Sequence, residues 1–258
     1  MENIINKRLA AVAGEFGLGM GLGSIRALVD SPDCFDDFNL RPLLGESVPF
    51  YANLGVAQVE NYLNIPAKLE QLSLTLEKLQ ADGLIIHVNP LQEWLQDEGD
   101  HLKTPAINVI EKALDFLNVP IIVKEVGQGF GPNSLERLIR LPLQAIEYGA
   151  FGGTNFSKVE ILRSGVEEHD YSPLALVGHS AQEMVGMTNY IINKLGERAL
   201  CKEFIISGGI RGFLDGYFLM NCLDSKSIYG MAGSFLRYAQ EGESNLRNFI
   251  AQQIRGLK

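Results

Sequence analysis

Short apolar runs alternate with amphipathic helical segments from one end of the chain to the other, and no other feature of the sequence limits the fold as strongly. Strands that alternate with helices are typical of a parallel sheet with crossover helices. The runs are apolar almost throughout, as expected for parallel strands that are buried on both faces. We predict seven strands: Gly19–Ser24, Phe50–Leu54, Leu84–Val88, Pro120–Glu125, Ala145–Tyr148, Phe204–Ser207 and Ser227–Met231.

Local signals also predict where several helices begin and end. Pro66 suits the first turn of a helix, and leucines follow it at helical spacing, namely Leu69, Leu72, Leu76 and Leu79. Ser180 is a candidate N-cap for a long helix that ends at Gly196. Asn133 and Glu136 have the spacing of a capping box, with Asn in place of the usual Ser or Thr.

The number of strands and the length of the chain together favour a barrel. A barrel of eight βα units needs roughly 250 residues, and the chain has 258. Eight strands close on themselves, whereas seven leave an unpaired edge. The chain opens with a helical segment, Asn3–Phe16, that has no strand before it. We therefore expect an α/β TIM (β/α)8-type barrel without its first strand, formed by residues 1–258 as one domain that is incomplete at the N-terminus.

Composition disfavours several classes of partner and location. No apolar run approaches the ~18 residues that a membrane-spanning helix needs, and the N-terminus lacks the pattern of a signal peptide. Cys34, Cys201 and Cys222 are odd in number and lack metal-ligand spacing, which favours reduced thiols and a cytoplasmic location. The net charge of −9 disfavours nucleic acid and anionic membranes as partners. A small-molecule substrate is the remaining expectation.

The third predicted strand leads into a dense group of polar side chains: His87, Asn89, Gln92 and Glu93. Pro90 cannot donate a hydrogen bond to a sheet ladder, so strand pairing should end there. Polar groups at the mouth of an apolar strand are costly to bury unless they bind something. A carboxylate beside amides suits Mg²⁺, which prefers oxygen ligands and substrate phosphates. The alternative is a solvated loop, and the rest of the chain favours a binding site.

Two loops of small residues late in the chain indicate an anion-binding site. Gly208 and Gly209 follow the sixth strand, and Ala232 and Gly233 follow the seventh. Glycines let the backbone approach an anion closely, and the N–H groups of a following helix point at it. Barrels bind phosphate in the loops after their last two strands. A single Ser-Gly-Gly run could be only a tight turn, but two consecutive loops of this kind predict a phosphate site.

Most of the other predicted strands also end in polar or glycine-rich clusters, which is where barrel active sites form. Lys124 ends a buried strand, where it could pair with Glu125 or another carboxylate, or face an electron-rich cofactor. Arg26 could bind a phosphate or a surface carboxylate. The remaining clusters contain Ser24, Asn53 and Thr154.

Taken in order, these motifs resemble type 2 isopentenyl-diphosphate isomerase. The matching runs are Gly23-Ser24-x-Arg26, Ala52-Asn53-Leu54-Gly55, His87-x-Asn89-Pro90-Leu91-Gln92-Glu93, Val123-Lys124-Glu125-Val126-Gly127, Gly152-Gly153-Thr154 and Ser207-Gly208-Gly209-Ile210-Arg211. The resemblance covers almost the whole chain. It implies an FMN-dependent TIM barrel that converts isopentenyl to dimethylallyl diphosphate with reduced FMN and Mg²⁺, using NADPH to reduce the flavin.

The resemblance also implies a role for each motif residue. His87 and Gln92 would be catalytic residues that line the substrate pocket, and Glu93 would ligate Mg²⁺. Ser24 and Arg26 would hold the substrate diphosphate. The FMN contacts would be Ser24, Asn53, Lys124, Thr154, Gly208, Gly209, Ala232 and Gly233. Family members tend to form homotetramers or larger assemblies, so a homo-oligomer is expected.

The chain departs from the family pattern at several points. Ile25 replaces a usual Gln, and Asn155 with Phe156 replaces a usual Ser-Trp pair. An N-terminal segment with an Arg-Lys pair and the first strand is expected before this sequence, and a closing helical portion after Lys258. One alternative is therefore an inactive or fragmentary homologue. Another is a barrel like the FMN-dependent 2-hydroxy acid dehydrogenases, but these need a late His-Arg pair and no His follows His179.

Overall fold

All seven predicted strands are present in one parallel sheet. The computed structural model describes residues 2–96, 99–100, 102–164 and 171–258. Its strands are β1 (Met20–Ser24), β2 (Phe50–Gly55), β3 (Gly83–Val88), β4 (Ile121–Glu125), β5 (Ala145–Glu147), β6 (Glu203–Ile206) and β7 (Lys226–Tyr229). They pair in chain order, each parallel to the next. The sequence therefore predicted every strand, with ends shifted by a residue or two.

The sheet curls into a half-barrel of the TIM type. β1 and β7 lie at the two ends of the strand order, and no pairing joins them within the described ranges. Apolar side chains from five successive strands pack together on the sheet, as in a curled sheet that brings separated strands close: Tyr51, Ile85, Ile122, Ala145 and Ile205. The larger core lies between the sheet and the helices. The predicted fold class is thus confirmed.

Helices follow each strand and cover the outside of the sheet. The first seven are α1 (Glu2–Phe16), α2 (Arg26–Asp30), α3 (Phe35–Phe38), α4 (Arg41–Leu44), α5 (Val56–Leu63), α6 (Pro66–Leu79) and α7 (Pro90–Trp94). The next seven are α8 (Ala106–Phe116), α9 (Pro132–Ile139), α10 (Phe156–Ser164), α11 (Ala181–Leu195), α12 (Phe213–Cys222), α13 (Gly233–Glu241) and α14 (Glu243–Leu257). Among the described helices, none has the length and apolar character needed to cross a membrane.

Two of the predicted helix starts are confirmed and one is wrong. Pro66 is the first residue of α6, and Ser180 caps α11 in a full capping box with Glu183. The predicted capping box at Asn133 does not form, because α9 already begins at Pro132 with Gly131 as its N-cap. Proline suits the first helical position, so the helix starts two residues earlier than the capping pattern indicated.

The first and last helices of the chain pack against each other beside the two free strands. Val12 of α1 forms a separate apolar cluster with side chains from α13 and α14: Ala239, Leu246, Phe249 and Ile250. The Arg8 guanidinium donates to the Ala239 carbonyl at 2.9 Å, and Arg247 pairs with Glu15 at 2.8 Å. The helical layer is therefore continuous where the sheet is open.

Candidate active site

The carboxyl ends of the parallel strands meet at one rim, and the register places the motif residues side by side. Gly55 of β2 lies opposite His87 of β3, His87 lies opposite Lys124 of β4, and Lys124 lies opposite Glu147 of β5. Residues that share a register across neighbouring strands point to the same face of a sheet. The rim thus carries an imidazole, an ammonium and a carboxylate in one row.

Asn53 and His87 are joined by a buried hydrogen-bond chain across three strands. The Asn53 Nδ2 amide donates to the Leu22 carbonyl oxygen of β1 at 3.0 Å. The Asn53 Oδ1 atom lies 2.9 Å from His87 Nδ1. Burial and, to a smaller extent, the positive charge of Lys124 together lower the pKa of His87 to about 4. His87 is therefore a neutral imidazole near pH 7.

Gln92 meets a buried carboxylate that sequence reasoning missed. Gln92 Nε2 donates to Glu160 Oε1 at 3.2 Å, and Gln96 Nε2 donates to the same oxygen at 2.8 Å. Glu160 lies on α10, is 5% exposed, and also pairs with Arg163 at 3.2 Å. The signal available in the sequence is a Glu one helical turn after Phe156, in the helix that follows the Gly-Gly-Thr motif.

Glu93 lines a small, mostly apolar cavity together with Asp100. Glu93 Oε1 accepts from Asn89 Nδ2 at 2.9 Å, and Glu93 Oε2 accepts from the Asp100 backbone N–H at 2.9 Å. Both residues, with Asn89, line a cavity of about 190 Å³. The buried Asn89 Oδ1 has no hydrogen-bond partner within the described part of the chain. Oxygen atoms of this kind fit a hard cation such as Mg²⁺.

The single Glu93 carboxylate can bind Mg²⁺ only if other oxygen atoms complete the coordination of the ion. No group of three or more His, Cys, Asp or Glu side chains with metal-binding geometry is found among the described residues. Mg²⁺ commonly binds through one or two carboxylates, substrate phosphates and water. Glu93 and Asn89 therefore suit a magnesium ion that arrives with a phosphorylated ligand rather than a cage made only by protein.

Arg26 reaches the same region, but its partner is a carboxylate. Its guanidinium pairs with Asp100 Oδ2 at 2.8 Å and remains 55% exposed. Gln58 Nε2 donates to the same Asp100 oxygen at 2.8 Å. Ser24, at the end of β1, accepts a hydrogen bond from the Arg26 backbone N–H at 3.4 Å. Residues of the β1 and β3 motifs, together with Gln58 of α5, thus converge on Asp100.

The glycine loops after β5 and β6 lie against each other. Gly208 has a φ of +91°, and a Cβ at this position would overlap the Ala150 backbone. A Cβ on Gly152 would lie 3.0 Å from the Cα of Gly209. A bare backbone is needed here, because only glycine permits both the positive φ and the close approach. Gly152, Gly153 and Gly209 are exposed at the rim, and bare glycine backbone there fits the phosphate of a nucleotide cofactor.

The other residues predicted to contact a cofactor lie on the same rim. Gly233 begins α13 with Ala232 as its N-cap, and a Cβ on Gly233 would have no neighbour within 4 Å. Thr154 lies in the exposed loop after β5, where its carbonyl faces Gly127. A helix N-terminus and bare glycine backbone are suited to an anionic group.

Lys124 does not pair with the Glu125 carboxylate, which was one of the two alternatives. Its Nζ donates to the Glu125 backbone oxygen at 3.0 Å. The Glu125 carboxylate instead accepts three backbone N–H groups of the next turn, at 2.8, 2.6 and 2.8 Å. Burial raises the pKa of Glu125, and these N–H donors oppose that rise. Among the described residues Lys124 makes this one hydrogen bond, so its other two N–H donors can serve a ligand on the inner face of the sheet.

Comparisons with known proteins give the family. No family model matches the chain. The chain is 33% identical over 262 residues to isopentenyl-diphosphate delta-isomerase of Rickettsia africae, covering 98% of this chain and 71% of the relative. The enzymes of the same name from Rickettsia felis and Rickettsia typhi are 32% and 31% identical over 262 residues.

A solved structure supports the fold. Mandelate oxidase with benzoyl-formic acid matches with a TM-score of 0.50, over 93% of this chain and 72% of that chain. At 13% identity this likeness shows the barrel architecture alone. The sequence identity, by contrast, extends over nearly the whole chain. The chain therefore belongs to the isopentenyl-diphosphate delta-isomerase family of enzymes, and its ordered motifs are those of the type 2 members.

Proposed function

We propose that this protein converts isopentenyl diphosphate to dimethylallyl diphosphate at the rim formed by β1 to β7. One observation carries the proposal, beyond the family membership. His87, Gln92 and Glu93 come from one short segment, and each is held at the rim by a hydrogen bond of its own. A preorganised polar group in a partly buried site is what transition-state stabilisation requires.

The proposed cofactors are FMN and Mg²⁺, with NADPH as the reductant of the flavin. Reduced FMN, when bound, would supply an electron-rich ring that can deliver and take back a proton. Gly208, Gly209 and the start of α13 would hold its phosphate, and Lys124 would face its ring. Glu93 would share Mg²⁺ with the substrate diphosphate, and the unpartnered Asn89 Oδ1 supports a cation there.

The side chains of this protein have distinct tasks in the proposed reaction. Moving a double bond requires a proton to be added at one carbon and removed at another, in a site that excludes water. Glu160, a buried carboxylate, orients Gln92 through the 3.2 Å hydrogen bond. Arg26 would exchange its contact with Asp100 for the diphosphate, because a guanidinium binds phosphate strongly.

The 2-hydroxy acid dehydrogenase alternative gains no support from the rim. The likeness to mandelate oxidase rests on architecture and does not extend to sequence. The single-domain organisation of residues 1–258 and the cytoplasmic location both stay predictions. An inactive homologue remains the competing hypothesis, and activity measurements separate it from the isomerase.

We also propose that the protein assembles with copies of itself through α12. Leu214, Tyr217 and Phe218 lie on the outer face of this helix and are 69%, 54% and 54% exposed. Three such side chains expose roughly 400 Å², about half of the ~800 Å² that each partner buries in a standard interface. Asp215, the one charged residue of α12, pairs with Arg211. A second copy therefore meets this face without charge repulsion.

An activity assay with two glutamine variants tests the proposed function. The whole chain is supplied with FMN, NADPH, Mg²⁺ and isopentenyl diphosphate, and dimethylallyl diphosphate is followed by NMR. We expect Gln92→Ala to lower kcat by about a hundredfold, as expected for a group at the reacting centre. Gln96→Ala is the matched control, because it removes the other amide on Glu160 and should lower kcat less than threefold. Equal kcat values for the two variants, or no product from flavin-loaded wild type, would refute the assignment.

A further inference from the structure

We propose that Asn53 is a positioning residue that determines which nitrogen of His87 is available to a ligand. The chain from the Leu22 carbonyl through the Asn53 amide to the His87 ring keeps a proton on Nδ1 and leaves Nε2 as a bare acceptor. The catalytic consequence rests on the proposed function. The assignment of the proton itself rests on geometry alone.

The first step is the orientation of the Asn53 amide. Its two ends have different partners, since one faces the Leu22 carbonyl at 3.0 Å and the other faces His87 Nδ1 at 2.9 Å. A carbonyl oxygen can only accept a hydrogen bond, so the end that faces Leu22 must be the NH₂ group. The reverse orientation would bring two oxygens together in a buried site.

The Leu22 carbonyl is available to Asn53 because the sheet is irregular at this point. The pairing of β1 with β2 shifts register between Gly21 and Ser24. Asn53 is 8% exposed and lies inside this shift. A buried carbonyl needs a donor, and the Asn53 side chain provides it. Both the irregular register and the buried carbonyl therefore hold the amide in one orientation.

The second step is the tautomer of His87. With Nδ2 assigned to Leu22, the Asn53 Oδ1 atom faces the imidazole and can only accept. His87 Nδ1 must then carry the hydrogen. A neutral imidazole has one N–H, so Nε2 is unprotonated. The hydrogen bond made by one ring nitrogen sets the state of the other.

The third step concerns the space beside Nε2. A Cβ on Gly55 would lie 2.9 Å from His87 Nε2 and would overlap Gln58 Oε1. The space beside Nε2 is bordered by Gln58 Oε1, and a side chain at position 55 would fill it. Within the described residues no hydrogen bond to Nε2 is found. A ligand that meets this atom must donate an N–H or O–H group, or bring a proton with it.

This assignment adds a role for Asn53. The family resemblance implied that Asn53 contacts FMN, and an amide with two N–H groups and two oxygen lone pairs can make such a contact beside those with Leu22 and His87. Asn53 also acts on a ligand through His87. The bare Nε2 of His87 in turn binds a hydrogen-bond donor. An unprotonated phosphate oxygen cannot donate a hydrogen bond, so it is not a partner for this atom.

The tautomer is measured by long-range ¹H–¹⁵N NMR of the ¹⁵N-labelled whole chain at pH 7. His87 is assigned among the four histidines by the loss of its signals in His87→Gln. We expect Nδ1 to have the shift of a protonated ring nitrogen and Nε2 that of a bare one. The opposite pattern in the wild type overturns the proposal.

Two variants of Asn53 separate positioning from a merely structural role. Asn53→Asp keeps an acceptor opposite Nδ1, so a folded variant should retain the wild-type tautomer even though its second oxygen faces the Leu22 carbonyl. Asn53→Leu removes the acceptor, and the two ring nitrogens should become averaged. The same substitutions at Asn64, at the exposed end of α5, are the control and should leave His87 unchanged. An unchanged tautomer in a folded Asn53→Leu variant overturns the proposal.

Activity is a separate readout. We expect kcat to fall about tenfold to a hundredfold in Asn53→Leu, as is usual when a partner that orients a functional imidazole is lost, and to recover partly in Asn53→Asp. If the tautomer is as assigned but the wild type makes no product, the proposed isomerase function fails and the positioning role stands. If the wild type is active with the opposite tautomer, the positioning role fails alone.

Discussion

Replacing His87 by Gln should remove part of the dependence of stability on pH. In the folded protein burial and Lys124 lower the pKa of His87 from 6.5 to about 4. Between these two values the unfolded chain binds a proton that the folded chain does not. The free energy of unfolding therefore falls as the pH drops from 6.5 to about 4, and this contribution is fully present above pH 6.5.

The size of the effect follows from the two pKa values. One pKa unit corresponds to about 1.4 kcal/mol, so the full shift is worth about 3 kcal/mol by pH 4. At pH 5.5 only part of this stabilisation is lost. The contribution of His87 to the free energy of unfolding is then lower by about 1 kcal/mol than at pH 7. This range avoids the isoelectric point of about 5.0, where the protein carries little net charge.

Urea unfolding at pH 7 and pH 5.5 measures the difference. We expect the wild type to lose about 1 kcal/mol more than His87→Gln over this interval. Gln is a suitable replacement, because it can donate a hydrogen bond to Asn53 and does not titrate. Carboxylates such as Glu125 titrate in both proteins, so the comparison cancels them. An identical loss of stability in the two proteins would show that His87 is not held in its neutral form.

Two further predictions concern the glycine loops and the assembly. Gly208→Ala should destabilise the fold by about 1–3 kcal/mol and weaken FMN binding. Gly233→Ala is the control, because a Cβ there has open space, and it should change the melting temperature little. Equal shifts of the melting temperature in the two variants would count against the close approach of the loops. Leu214→Glu together with Phe218→Glu should convert an oligomer to a monomer in light scattering, and an unchanged mass would exclude α12 as the interface.

The strands were predictable because their signal is local. A buried parallel strand is an apolar run bounded by turn residues, and this pattern needs no knowledge of its neighbours. The capping box at Ser180 was equally local and is present. The capping box at Asn133 failed because a stronger local signal, Pro132, begins the helix first. Glu136 instead binds Arg140 and Lys194, both at 2.7 Å.

The connections within the site were not predictable from the sequence. Gln92 and Glu160 are 68 positions apart, and their contact depends on how α7 and α10 pack. The pairing of Arg26 with Asp100 likewise depends on the loop after α7. Sequence motifs marked Gln92 and Arg26 as functional, but tertiary packing alone supplies their partners.

The Asn53–His87 contact depends on the register between β2 and β3. A shift of one residue would turn either side chain to the other face of the sheet. The resemblance to a known family therefore supplied candidate site residues, and the structure adds which of them contact one another.

The most direct test of the account is product formation by the wild-type chain. Purified protein is loaded with FMN, reduced with NADPH, and incubated with Mg²⁺ and isopentenyl diphosphate, while a second sample is stripped of flavin. We predict dimethylallyl diphosphate in the loaded sample and none in the stripped one. Bound flavin without any product would contradict the central claim that this rim is an isomerase site.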